Sequence, residues 1–337
     1  MTRFALSAVL LTAVVVLSLP ATAAGLTRTF VSSAGSDSNP CTITQPCATF
    51  AQAYTATAAG GVIAALDPGK YGPLTITGPV TINGNGWAAI TAPASGNGVT
   101  ITAGASDNVA LIGLEIDGAG AGYNGIVLNV AGSLTVTDCV VQNFMTGSGI
   151  SGNGITIATT SGTVSFVVRD STFSNNAADG ILYIPQSQSS ATVSGVIDHV
   201  TAIGNGDAGI QLFASNMTSA SLVAAISRSV ASNNDSGIIV VVEFNSTATI
   251  EVSIDNTTVS GNGTGSGLNS TGGGIVADGP ARVLLGRSVI TGNSNGIDNQ
   301  TFPNTFYTYQ DNRIDLNGVD ILLDGIGSPL NTTFSPQ

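Results

Sequence analysis

Asp179, Asp207 and Asp235 fall at one place in three successive repeats, each just ahead of a Gly-Ile pair. Carboxylates stacked at the spacing of a repeat repel one another, so such a column calls for solvent screening, raised pKa values or a bound cation. Two readings stay open: solvated turn residues, because Asp suits turns, or a site for Ca²⁺ or for sugar hydroxyls. Apart from that calcium, nothing in the sequence calls for a cofactor. The strands after these aspartates place Leu182 and Ile184, Gln211 and Phe213, and Ile239, Val241 and Glu243 on one side, if Ile181, Ile210 and Ile238 point inward. A solvent-facing strand should carry Thr, Ser and Asn there. An apolar strip implies a cover: loops of the same chain such as Gln186 to Ser190 and Ala214 to Ser221, a partner, or a ligand with an apolar face such as a sugar ring. Asp179, Asp207, Asp235, Leu182, Phe213 and Val241 are therefore the binding candidates.

Catalytic candidates are few. The single histidine occurs in Val196-Ile-Asp-His199, and an Asp198-His199 pair has the residue types of a base and its orienter. The same dipeptide at the end of a strand is also an ordinary turn. Lys70 is the sole lysine and lies in the first repeat, far from any acidic column. Cys41 and Cys47 bracket a small loop and lack the further Cys or His ligands that a metal site would need, so a disulfide is expected. Cys139, in the run Leu134-Thr-Val-Thr-Asp-Cys139, reads as a buried free thiol.

The formal charge is -12, from 8 basic and 20 acidic residues. That balance repels phosphate backbones and excludes nucleic acid as a partner. It also disfavours polyanionic sugars, since no Arg/Lys cluster is present. The segment from Met1 to Ala23 has a short basic start at Arg3, an apolar run from Phe4 to Leu19 and a small-x-small site at Ala21-Thr-Ala23, the anatomy of a cleavable signal peptide. The mature chain is expected to start near Ala24, with charge -13 once Arg3 is lost, and to be secreted or periplasmic. No later stretch is long enough to span a bilayer.

The elements that position these residues follow from a repeated phrase: Thr172-Phe-Ser-Asn-Asn176, Thr201-Ala-Ile-Gly-Asn205, Val230-Ala-Ser-Asn-Asn234, Thr258-Val-Ser-Gly-Asn262 and Val289-Ile-Thr-Gly-Asn293, whose closing asparagines are almost evenly spaced. Gly-Ile recurs in step with it. Short Val/Ile/Thr runs separated by Asn/Gly turns are strands, and coils of this length stack into a parallel β-helix. The recurrent Asn is expected to stack as an internal ladder. Helical spacing at Phe50, Ala53, Tyr54 and Thr57 predicts one helix over 47–59, lying across the open end of the stack. Thr75-Ile-Thr77, Thr100-Ile-Thr102 and Thr135-Val-Thr137 are Thr-x-Thr rows of the kind ice-binding solenoids use, but the irregular coil lengths leave strand propensity as their explanation.

On these residues the chain resembles the right-handed parallel β-helix proteins of the pectate-lyase-like class. The resemblance covers about residues 60–325 and extends to an entry segment shared by many exported members, Val31-Ser-Ser-Ala-Gly35-Ser-Asp37 and Gly61-Val-Ile to Pro68-Gly-Lys-Tyr71. It implies an all-β single domain of nine or ten coils: signal peptide 1–23, an N-terminal strand, disulfide loop and helix 24–59, the solenoid 60–325 and a tail 326–337 that leaves the stack. The class usually acts on polyuronates. Val196-Ile-Asp-His199 is similar to a strand of pectate lyases, yet the Trp and the Arg-rich partner motif are missing, as is the polygalacturonase signature. The favoured reading is an exported, non-catalytic solenoid contacting glycan or another surface polymer. The alternative is a polysaccharide lyase, epimerase or glycosidase using carboxylates from neighbouring coils.

Overall fold

The computed structural model describes residues 25–215, 218–244, 246–263, 272–301, 305–323 and 330; the expected signal peptide and most of the expected tail lie outside the described residues. The chain is a parallel β-solenoid. One face is a sheet of ten strands running in sequence order from Leu74–Ile76 to Val319–Leu323, all parallel, one strand per coil. The other faces form a nineteen-stranded sheet that folds into a stack of longer strands such as Thr192–Asp198, Ser221–Ser227 and Thr249–Asp255, and a stack of three-residue strands such as Thr201–Ile203, Val230–Ser232 and Thr258–Ser260. Ten coils match the expected count.

Register is set by the Gly-Ile marker. Ile126, Ile155, Ile181, Ile210 and Ile238 pair in line on successive coils and are buried. The glycine ahead of each turns into the core: a Cβ at Gly180 would lie 2.5 Å from the Gly209 carbonyl oxygen, so no larger residue fits. Gly195 meets a different constraint. It pairs with Phe166 on the coil before, and a Cβ there would come within 2.2 Å of the Phe166 ring.

The asparagine column is the polar spine of the core. Asn176 Nδ2 donates to Asn205 Oδ1 at 2.9 Å, Asn205 to Asn234 at 2.9 Å, Asn234 to Asn262 at 3.2 Å, Asn262 to Asn293 at 2.9 Å and Asn293 to Asn317 at 2.9 Å. Each amide makes two further kinds of bond. Its Oδ1 also accepts a backbone N–H one coil earlier, from Phe144 at Asn176 and from the preceding asparagine after that, as Asn234 does from Asn205 at 2.9 Å, and its Nδ2 also reaches a carbonyl, as Asn234 does to Ala202 at 3.1 Å. An amide placed so has almost no unpaired capacity, which is what makes it tolerable in an apolar core. The column ends at Asn317, whose Nδ2 donates to Asp320 Oδ1 at 3.0 Å.

Outside the core, one residue per coil takes a left-handed conformation at the turn between the two stacks: Asp170, His199, Arg228, Asn256 and Arg287, with φ of 50°, 55°, 49°, 47° and 46°. A small hydroxyl residue follows most of them, and it ties coils together: Val200 N donates to Ser229 Oγ at 3.1 Å and Thr257 N to Ser288 Oγ at 3.2 Å.

The N-terminal region differs in detail from the expectation. The helix spans Phe50–Ala56, not 47–59, because Thr57 already begins the strand Thr57–Ala65. Thr49 caps it by accepting from Gln52 N, and the Asp37 carboxylate receives the N–H groups of Ala48 and Thr49 at 2.9 Å. Phe50 packs on Tyr71 with ring centroids 5.2 Å apart. The parallel stack starts before residue 60, since Leu26–Val31 pairs with Thr57–Ala65. At the far end Leu330, inside the segment expected to leave the stack, packs partly buried against the core. Cys41 and Cys47 are joined as a disulfide and Cys139 is free and buried.

Burial pushes the Cys139 thiol up to about 11, so iodoacetamide should label no cysteine of the native protein at pH 8 and one after unfolding without reductant. In the ladder, Asn234→Ala strands partners on the coil before and the coil after, and a loss of about 3 kcal/mol or more in urea unfolding is expected. Tyr183→Phe should act in the other direction. Its buried hydroxyl has no hydrogen-bond partner among the described residues, so removing the oxygen should leave stability unchanged or raise it by about 1 kcal/mol.

Candidate functional site

The aspartates predicted to form a solvated or cation-holding column are all buried, with exposures of 3% for Asp179, 8% for Asp207 and 2% for Asp235. They also do not share one row. Counting back from the Ile181–Ile210 pair sets Asp179 beside Ala208, whereas the Ala208–Ser236 pair sets Asp207 beside Asp235. Asp179 instead occupies the place that asparagines hold in earlier coils. Asn124 Nδ2 donates to Asn97 Oδ1 at 3.2 Å, Asn153 Nδ2 to Asn124 Oδ1 at 3.2 Å, Asp179 N to Asn153 Oδ1 at 3.0 Å, and Ala208 N to Asp179 Oδ1 at 3.0 Å. A second, shorter amide ladder thus ends on a carboxyl. Gln211, with its amide nitrogen turned to Asp179, donates to Oδ1 at 3.2 Å and Oδ2 at 3.1 Å.

Electrostatics follow from burial. Desolvation, then the neighbouring Asp207, pushes the Asp179 carboxyl well above the usual carboxylate range; desolvation, then Asp235, raises Asp207. Among the described residues no three His, Cys, Asp or Glu side chains converge as a metal-ligand set. The apolar strip beside them is not a bare face. Leu182 and Ile239 are 5% and 1% exposed, while Ile184, Phe213 and Val241 are half-buried. Ala208, Ile239 and Val276, with Val241 against them, form an apolar cluster separate from the main core. The same face gains two acids that the sequence reading missed. Asp298 follows Ile239 and Val276 in one row and is fully buried; Asp278 pairs with Val241, and burial raises its carboxyl.

Asp198 and His199 are adjacent in sequence and part in space. Asp198 accepts from Arg228 Nε at 3.0 Å, from Arg228 Nη2, and from Ser227 Oγ at 2.7 Å, whereas His199 Nδ1 lies 2.7 Å from Asp170 Oδ1, one coil earlier. The separation is set by the left-handed backbone at His199, which turns its ring along the outer row of the turn. Arg287 with Asp255 repeats the Arg228–Asp198 arrangement further on. The turn carries an ion-pair ladder, and the dipeptide forms no base and orienter of its own. The Arg228 guanidinium and the Ser227 hydroxyl hold the Asp198 carboxyl below its ordinary value.

An open site lies on the outer face of the longer strands. Val223, Glu251 and Arg282 are in line on three successive coils, and Ser253, Leu284 and Tyr307 form the row beside them. Together they line a shallow trough. Val223 is 60% exposed, Arg282 lies 3.4 Å from the Glu251 carboxylate, and its guanidinium carbon stands 5.3 Å from the centre of the Tyr307 ring. Aliphatic floor, aromatic edge and a paired cation and anion are the ingredients that seat a sugar ring: its C–H face meets the apolar side chains and its hydroxyls meet the charged ones. Arg282 and Tyr307 belong to the last regular coils, where the spacing departs from that of the coils before, so no sequence period brought them together.

No protein-family model matches the chain, and no curated protein matches it. Solved structures similar to it include XylC in complex with xylose (8% identity, 82% of this chain and 67% of that one, TM-score 0.52), the pectate lyase Pel9A (16%, 86% and 73%, TM-score 0.47) and the A-module of the mannuronan C-5 epimerase AlgE4 from Azotobacter vinelandii (16%, 80% and 91%, TM-score 0.44). At these identities the likeness is one of fold.

The parting of Asp198 from His199 has a measurable consequence. Because the folded Asp198 carboxyl titrates below its unfolded value near 4, its stabilisation is complete above that pH and is lost as pH falls through the folded value. Asp198→Ala should therefore lower the urea midpoint at pH 7 and converge on the parent as pH falls below the folded value. His199→Ala, which removes an exposed pair, should leave the midpoint at pH 7 nearly unchanged.

Proposed function

We propose that this chain is an exported, non-catalytic solenoid that holds a weakly charged polysaccharide or similar surface polymer along the outer face of its longer strands. The observation that carries the reading is the open trough of Val223, Glu251, Arg282, Leu284 and Tyr307. Successive coils offer side chains at a constant rise to successive units of an extended polymer lying along the stack. Export is supported by the Cys41–Cys47 disulfide together with the signal-like segment from Met1 to Ala23. The charge of -12 favours a neutral polymer over a polyuronate.

A second reading, a carbohydrate-active enzyme, is favoured by the carboxyls of Asp179 and Asp207, which burial and a neighbouring acid raise in the direction a general acid requires. Affinity and turnover separate the two. A glycan-array screen of the protein lacking the Met1 to Ala23 segment should find a ligand, and Tyr307→Ala should weaken it by about 1 to 3 kcal/mol, roughly five- to 150-fold in Kd. Phe213→Ala should leave Kd unchanged; loss of affinity in that variant, with Tyr307→Ala unaffected, moves the binding face to the ten-stranded sheet. New reducing ends or unsaturated products released from the bound glycan, and abolished by Asp207→Asn, establish the enzyme reading instead.

A further inference from the structure

The outer face of the longer strands carries a row that no charge interrupts. From Thr81 it passes through Thr135, Val167, Val196 and Ala225 and ends at Tyr307 in the trough, one residue per coil in unbroken pairing. At about 4.8 Å per coil the row is roughly 40 Å long. Beside it Ser133, Ser165, Ser194 and Val223 are in line as well, uncharged until Glu251 opens the trough. Charge returns only at the turn, where the next row holds Arg169, Asp198 and Asp255. The strip is open to solvent: Val196 and Val223 are 40% and 60% exposed, Ser194 is exposed, and Thr135, Val167 and Ala225 are half-buried.

Its relief is low. Between Thr81 and Ser253 the row holds only Ala, Ser, Thr and Val, so no side chain stands far above its neighbours, and larger groups rise only at the trough. Shape and chemistry together select the occupant. A protein partner draws its affinity from aromatic and arginine anchors set in pockets, and the strip has neither before the trough. A soluble, flexible chain loses its freedom on lying down along the strip, and scattered methyl and hydroxyl contacts return little against that cost. A polymer already held in an ordered surface has no such freedom to lose, so the small contacts add from coil to coil. Methyls suit the C–H faces of its sugars and hydroxyls suit their O–H groups. An uncharged strip on a chain of charge -12 matches a polymer that is itself uncharged.

We propose that this strip docks on the ordered face of an insoluble, uncharged polysaccharide whose chains run along the stack, and that the trough at its end grips one chain of that surface. The inference rests on the reading of the outer face as the polysaccharide-binding face, and it names the physical form of the polymer. The long charge-free row of small side chains, continuous with the trough, carries it. A solenoid of this kind clings to a solid and discriminates against the same sugar in solution.

The test is co-sedimentation of the chain without its Met1 to Ala23 segment with microcrystalline cellulose and crystalline chitin, with the same polymers swollen to the amorphous form, and titration with their soluble oligosaccharides. The parent is compared with Val196→Asp and Ser194→Glu, which place a carboxylate on the strip away from the trough. The parent is expected to bind a crystalline polymer more tightly than its swollen or soluble forms by about tenfold or more. Either variant should lose about tenfold or more of that binding, because its carboxylate is buried unpaired against the solid, and should keep the parent's Kd for any soluble oligosaccharide. Crystalline binding unchanged in both variants overturns the proposal, as does equal binding of crystalline and swollen polymer. A parent that binds soluble glycans and no crystalline polymer also overturns it, while leaving the trough as a glycan site; a parent that binds no glycan in either form overturns the polysaccharide reading as well. A parent dimer in sedimentation velocity that Val196→Asp dissociates assigns the strip to a second copy and overturns it too. Should Val196→Asp not fold by circular dichroism, Ser194→Glu, which adds the charge at an exposed hydroxyl and removes no apolar side chain, decides the matter alone.

Discussion

Everything in this molecule depends on a backbone hydrogen bond between one coil and the next at a fixed rise. Once strands stack in parallel at that spacing, every side chain meets the same position of the coil above and below, and its chemistry is judged against its own kind. Amides pass this test because each carries both a donor and an acceptor. The column from Asn176 to Asn317 satisfies itself and the surrounding backbone at once. Hydroxyls pass it at the turn between the two stacks. Carboxylates fail it unless something relieves their charge: arginines do so on the exposed turn, while beneath the ten-stranded sheet burial pushes the carboxyls of Asp179 and Asp207 upward.

The parts of the fold that repeat were legible in the sequence for this reason. A ladder residue cannot vary freely, so Asn at a near-constant interval and Gly ahead of Ile announce both the stack and its register. The helix was legible in its apolar spacing, while its end was not, because Thr57 fits the helical face and also pairs in the first strand. The site was legible only in part. The three aspartates were visible, and so was the clue that separates them: Asp179 abuts Gly180, whereas one residue stands between Asp207 or Asp235 and its glycine. Their burial was not visible, since an acid ahead of a turn reads as solvated when the cover over it comes from elsewhere in the chain. The trough was missed for a related reason. Val223, Glu251, Arg282 and Tyr307 are unlike one another, and periodicity detects only likeness.

The division of labour between faces also has a physical origin. An outward row on a solenoid can change its side chains without disturbing the core, so long as each neighbouring pair is compatible. The outer rows at Val223 and Ser253 accordingly pass through aliphatic, acidic, basic and aromatic residues within three or four coils. Inward rows do not have that freedom. Where Phe166 fills extra volume, the next coil answers with Gly195, a compensation within one inward row that keeps the cross-section constant.

The asparagine column has a direction. Every amide-to-amide bond runs to the following coil and none to the preceding one, the second amide proton going back to a carbonyl, so the side-chain bonds add head to tail along the axis, and the carboxylate of Asp320 stands at the donor end. A wire of this kind is finished at its terminus and uniform in its middle. One more turn spliced between Asn205 and Asn262 meets a donor below and an acceptor above and changes nothing else; one added after Asn317 must first displace its terminator. Lineages built on such a column are thus free to lengthen by internal duplication and are resisted when they grow from the end.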